Sequence, residues 1–201
     1  QQSIVHVGIL LVQAVINSFG STALAGYSAG MRIESLSIVP MLAMGNAMST
    51  FTAQNMGAGN IDRVKKGYRM CYVIVLTAGA VLCVMYQLAG GAFVSLFLDS
   101  GSSEAYSVGL SYVKFLSFFY SFIGLKASTD GLLRGAGDVT AFTVANLVNL
   151  AIRVSVTNLF APIYGIQVAW MAVPLGWAAN YVISFGWYLT GKWKKVRVIK
   201  K

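Results

Sequence analysis

The sequence is poor in charge and poorest in acid. Only 10% of its 201 residues are charged, and only six are aspartate or glutamate; an ordinary soluble domain carries roughly 25% charged residues. With one histidine and two cysteines besides, it offers no metal-ligand cluster, no nucleophile elbow and no carboxylate pair at working spacing, which argues against an enzyme. No cofactor is expected. Cys71 and Cys83 fall in one predicted apolar helix and are read as buried free thiols rather than a disulfide or a metal pair. What the chain has in abundance is hydrophobic side chains, 57% of the total, with a mean hydropathy of +0.69.

That balance marks a membrane protein. Six apolar segments are set off by breakers, at about 4–19, 33–51, 72–88, 110–133, 139–161 and 168–189, each near the roughly 20 residues that cross a bilayer as a helix. They are too long and too continuously apolar for barrel strands, which alternate every second residue. Since hydrocarbon leaves backbone amides no partner outside the segment, the expected fold is all-α, a polytopic bundle of six transmembrane helices. The chain opens on Gln1 without a methionine and is apolar by Ile4, so it is expected to be a fragment, and a cleaved signal peptide is not expected.

Basic residues give the orientation. Arg63, Lys65, Lys66 and Arg69 sit in the second connection, Arg134 at the fourth, and Lys192, Lys194, Lys195, Arg197, Lys200 and Lys201 in the tail 192–201, whereas the third connection holds Asp99 and Glu104 and no cation. The pattern predicts both ends on the cytoplasmic side of the cell membrane. The net charge of +9 is then a topology signal, with the lipid bilayer as partner and no nucleic acid. Trp187, Tyr188 and Trp193 at one end of the last segment, with Tyr164 and Trp170 at the other, read as interfacial aromatic belts.

The glycine-rich stretch 53–67, AQNMGAGNIDRVKKG, lacks the strand and the G-x-x-x-x-G-K-[ST] spacing of a phosphate loop. Gln54 through Asn60, with Gly57 and Gly59, reads better as a helix stop and restart, Asn60 capping the next helix. GLLRGAGD repeats the design with Gly135, Gly137 and Asp138. The stretch MRIESLSIVPMLAMGNAMSTFTAQNMGAGNIDRVKKG (31–67) and GLLRGAGD (131–138) resemble second-lobe signatures of the multidrug and toxic compound extrusion (MATE) family. The resemblance implies two six-helix lobes exporting cationic or amphipathic compounds by alternating access, in exchange for H⁺ or Na⁺. This chain would be the C-terminal lobe, with the missing N-terminal lobe of the same polypeptide as its partner.

Polar side chains inside the segments point to a pathway. Gln2, His6, Gln13 and Asn17 fall within about 60° of one another on the first helix, and Asn146, Asn149, Arg153 and Thr157 within about 80° on the fifth. Lys114, Ser117, Ser121 and Ser128 form a similar stripe on the fourth. Interhelical hydrogen bonding explains any one stripe; three together favour a hydrated interior shared by these helices. His6 is the one group whose unperturbed pKa lies near neutrality, which makes it the candidate proton-sensitive residue. Lys126, Asp130 and Arg134 recur every four residues as an ion-pair ladder, structural or gating. Arg32 and Glu34, in the family's RIES pattern, lie on different faces and are expected to find separate partners. Pro40 and Pro174 sit inside helices and predict bends.

The chain also departs from the family. Some relatives carry acids in the middle of the first and fourth helices of this lobe, where this sequence has none; Glu34 and Asp130 are its only carboxylates within spans. Ion coupling is therefore expected mainly in the other lobe. Two alternatives remain: a lipid-linked saccharide flippase of the same superfamily, kept open by Lys114 and Arg153, and a non-transporting membrane or channel module.

Overall fold

The computed structural model describes residues 2–98 and 103–195, with side chains at 8, 10–98 and 104–194. Seven α-helices follow in order: α1 (Gln2–Asn17), α2 (Ser21–Gly57), α3 (Ile61–Ser95), α4 (Ser103–Ser117), α5 (Tyr120–Gly135), α6 (Val139–Tyr164) and α7 (Gln167–Leu189), then a 3₁₀ turn at Lys192–Lys195. No strand occurs among the described residues.

Helices α2, α3, α6 and α7 are each long and apolar enough to span a membrane, and α4 and α5, bent by 53° at their junction, are so only as a pair. Helix α1 covers the first expected segment with 16 residues. Large side chains such as Leu36, Val39, Met70, Val81, Leu88, Leu159 and Val182 are more than half exposed, a surface suited to hydrocarbon rather than water.

Two boundaries differ from the hydropathy reading. Residues 21–32, expected as a connection, are the first turns of α2, a 37-residue helix about 55 Å long at 1.5 Å per residue. Their alanines favour helix. Gly26 and Gly30 let α4 approach closely, since a Cβ at either would collide with Val108 or Tyr112. Helix α3 likewise begins at Ile61, its first turns amphipathic through buried Val64, Tyr68, Cys71 and Val75. Its exposed Asp62 accepts from Lys65 at 2.8 Å, which holds the carboxyl below its usual range.

The fourth expected span is broken. The helix stops at Ser117 and restarts at Tyr120, with no proline or glycine at the break. A side chain from α3 stabilises it. Gln87 Nε2 donates to the Lys114 carbonyl and to Ser117 Oγ, both at 2.8 Å, while Ser117 Oγ donates to the same carbonyl at 2.7 Å. An inserted polar group is a recognised cause of a kink.

Helix α5 is the innermost, buried without interruption from Ala127 to Leu133. It meets α2 backbone to backbone. A Cβ on Gly131 would lie 2.9 Å from the Gly45 carbonyl carbon, and one on Gly135 would lie 2.9 Å from the Ser49 carbonyl carbon. Small residues four apart on both helices make this contact possible.

The aromatic belts take another form. Trp193 is fully buried and Trp170 is 2% exposed. Trp193 stacks on Tyr188 at 5.6 Å, Trp170 meets Tyr112 edge-on at 5.7 Å, and Trp187 Nε1 donates to Asp138 Oδ2 at 2.6 Å. Only Tyr164 of the five is largely exposed. Their apolar bodies complete the helix packing, and two of the indole N–H groups find protein partners: Trp187 and Trp193, the latter donating to the Tyr188 carbonyl at 3.1 Å.

Candidate functional site

The two glycine-rich connections share one geometry. Gly59 N–H donates to Met56 O at 3.0 Å and Asn60 N–H to Asn55 O at 2.8 Å; Gly137 donates to Arg134 O at 3.0 Å and Asp138 to Leu133 O at 2.9 Å. These are Schellman caps. The left-handed residues are Gly59 (φ 73°) and Gly137 (φ 84°), while Gly57 and Gly135 end the helices and the Gln54 carbonyl accepts from Ala58. Asn60 makes no side-chain cap, contrary to expectation. Asp138 does, accepting from Ala141 N–H at 3.4 Å.

Asp138 also receives Trp187, and Tyr68 packs 4.7 Å from Tyr188. These contacts bring both connections and the end of α7 to one end of the bundle. The basic connections thus lie together.

Above Asp138 the polar stripe of α6 divides between two pockets, both lying between α2 and α6. The inner one, about 240 Å³, has α5 as its floor and is lined by Asn46, Lys126, Asp130, Arg134, Phe142 and Asn146 among others. The outer one, about 150 Å³, is closed by α1 and takes Gln13, Tyr27, Glu34 and Arg153. Asn149 lies between them against α7, where a Cβ on Gly176 would touch both Asn149 and Arg153. Thr157 is fully buried. The α6 stripe is thus divided, with Asn146 in the inner pocket, Arg153 in the outer one and Asn149 against α7.

In the inner pocket Asp130 is 4% exposed and accepts hydrogen bonds at both oxygens. Its Oδ2 accepts from Lys126 Nζ at 3.0 Å and from Asn146 Nδ2 at 3.3 Å, and its Oδ1 accepts from Ser184 Oγ at 2.6 Å. Ser184 has one proton, committed to Asp130. Ser184 Oγ also lies 3.4 Å from Asn180 Oδ1, so Asn180, Ser184 and Asp130 are neighbours along α5 and α7.

The expected ladder is only half present. Lys126 pairs with Asp130, whereas Arg134 turns to α2, with Nη2 2.7 Å from Asn46 Oδ1 and Nε 3.4 Å from Ser49 Oγ. Arg32 and Glu34 form no ion pair among the described residues: Arg32 lies 6.0 Å from the Phe97 ring, and Glu34, 9% exposed, accepts from the Tyr112 hydroxyl.

The fourth-helix stripe is a further correction. Ser117 meets Gln87, Ser128 meets Cys71 at 3.1 Å, and Ser121 and Lys114 lie against Gly79 and Gly90. All four face α3, away from the α2–α6 pockets, so the stripe keeps one face across the break but packs on a neighbouring helix. Lys114 thus lies on the α3 side, near Gly90, whereas Arg153 lines the outer pocket between α1, α2 and α6. On α1, Gln13 reaches the outer pocket and Asn17 is exposed; the Gln2 and His6 side chains lie outside the described residues. Asn46, Gln87, Asn180 and Ser184 escaped the sequence reading. A helical-phase test on α7 would have paired the last two, which lie four apart.

The chain matches the MatE family over residues 2–160. It is 28% identical over 199 residues to the probable multidrug resistance protein YpnP of Bacillus subtilis (strain 168), covering 98% of this chain and 44% of that protein. It superposes with a TM-score of 0.87 on the outward-facing conformation of a multidrug resistance MATE family transporter of the MOP superfamily, at 17% identity and covering 98% of this chain and 44% of that one. The inward-facing conformation of such a transporter gives 0.82, again at 17% identity, over 93% and 42%. The chain thus spans less than half the length of each of these proteins. With a helical bundle of that architecture and a match running from α1 into α6, this chain belongs to the MatE family.

Proposed function

We infer that this chain is the second lobe of a two-lobe secondary active exporter. It moves organic cations or amphipathic compounds out across the cell membrane by alternating access, coupled to H⁺ or Na⁺. Its basic end faces the cytoplasm, and the first lobe of the same polypeptide covers the α2–α6 side. The observation that carries this reading is the pair of polar pockets between α2 and α6: buried amides, a carboxylate and cations are costly in a membrane and belong beside protein or a hydrated cavity. In the outer pocket Glu34 and Arg153 set opposite charges beside Tyr27 and Met31, a surface able to hold an amphipathic cation.

Alternating access gains support from rigidity. One lobe fold superposes well on both outward- and inward-facing relatives, as expected when whole lobes rock about a central site.

The test is dye efflux by the full-length protein in a pump-deficient bacterium. The wild type should lower accumulation of a cationic dye, collapse of the proton or sodium gradient should abolish the effect, and Arg153→Ala should weaken it. Unchanged dye tolerance on expression of a folded full-length protein would reject the reading.

A further inference from the structure

We propose that the inner pocket between α2, α5 and α6 binds an anionic group, a phosphate or a carboxylate, through Arg134 and Lys126. The proposal does not depend on which solute the exporter carries. It starts from charge. The pocket is lined by two cations and one carboxylate, and that carboxylate is occupied at both oxygens by Ser184, Lys126 and Asn146. An entering cation would meet net positive charge and an Asp130 whose two oxygens already accept three hydrogen bonds.

Donors, by contrast, remain. A guanidinium offers five N–H groups and an ammonium three. Among the described residues Arg134 commits donors only to Asn46 and Ser49, and Lys126 only to Asp130 and Asn146. No described carboxylate pairs with Arg134. Its guanidinium lies 5.6 Å from the Phe142 ring centroid, which fixes the fork while leaving N–H edges open. A planar fork is the geometry that takes phosphate or carboxylate two-pronged, with the ammonium adding a point charge.

Both heads converge. Lys126 leans one turn along α5 to Asp130, and Arg134 leans back to Asn46 on the neighbouring helix. Gly45, Gly131 and Leu42 complete the wall, the glycines bringing backbone rather than side chains to the pocket. Arg134 stands in the last turn of α5, one turn from the basic end of the bundle, where either a soluble anion or a lipid headgroup phosphate can reach it.

The experiment uses the full-length protein in nanodiscs. In phosphatidylcholine discs, pyrophosphate and citrate are titrated by calorimetry; in a second arm, discs containing phosphatidylglycerol are assayed for lipid retained by the protein. Saturable binding in the first arm identifies a free anion, and selective retention in the second identifies a headgroup; either supports the proposal. Arg134→Gln keeps an amide for Asn46, so it should fold, yet it should weaken binding by about tenfold or more, the value of one charge-assisted bond. Arg134→Lys should fall between, and Arg63→Gln, an exposed cation on α3, should bind as wild type. Absence of binding in both arms overturns the proposal, and so does binding that Arg134→Gln leaves intact or that Arg63→Gln weakens equally.

Discussion

Helix contact at backbone distance makes a sharp prediction: the same glycine-to-alanine change should have opposite consequences at two helical sites. Gly186 lies on the exposed side of α7 with nothing within 4 Å of an added Cβ. Alanine there gains helix propensity, about 0.5–1 kcal/mol. At Gly131 the gain is identical, but the methyl would sit 2.9 Å from the Gly45 carbonyl carbon and 3.2 Å from its Cα. These are backbone atoms, so no rotamer change relieves the clash and α2 must move from α5. Overpacking of this kind costs about 1–3 kcal/mol. Propensity cancels between the variants, so Gly131→Ala should be less stable than Gly186→Ala by that 1–3 kcal/mol. Thermal or denaturant unfolding of the full-length protein in one detergent measures the difference. Equal stability would refute the claim that the α2–α5 seam is closed to a single methyl.

Two other perturbations test the buried polar groups. Asp130→Asn removes the charge opposite Lys126 and should destabilise by about 3–5 kcal/mol, the cost of leaving a buried partner unpaired; Lys126→Met added to it should restore part of the loss, and additive losses in a double-mutant cycle would disprove the coupling. Gln87→Leu removes the amide that serves the Lys114 carbonyl at the helix break and should cost about 1–3 kcal/mol, read as a lower melting temperature, whereas an unchanged melting temperature would mean the bend needs no help from α3.

Composition and periodicity by themselves determined the class of this protein. Hydrocarbon forces backbone amides to pair within the segment, so long apolar runs could only be helices, and the spacing of Gly59 and Gly137 marked two caps because a left-handed residue is cheap only for glycine. The α6 stripe was legible for the same reason: Asn146, Asn149 and Arg153 obey a fixed period within one helix. What the tertiary structure decided was everything that depends on a partner from another helix. The break after Ser117 rests on Gln87, some thirty positions earlier, and it is α3 that covers the face carrying Lys114, Ser117, Ser121 and Ser128. Arg134 fits a ladder with Asp130 by spacing, yet Asn46 of α2 captures it because Gly131 and Gly135 let that helix lie against α5. Local sequence sets the angle at which a side chain leaves its helix; only the packing of the other helices sets what it meets there.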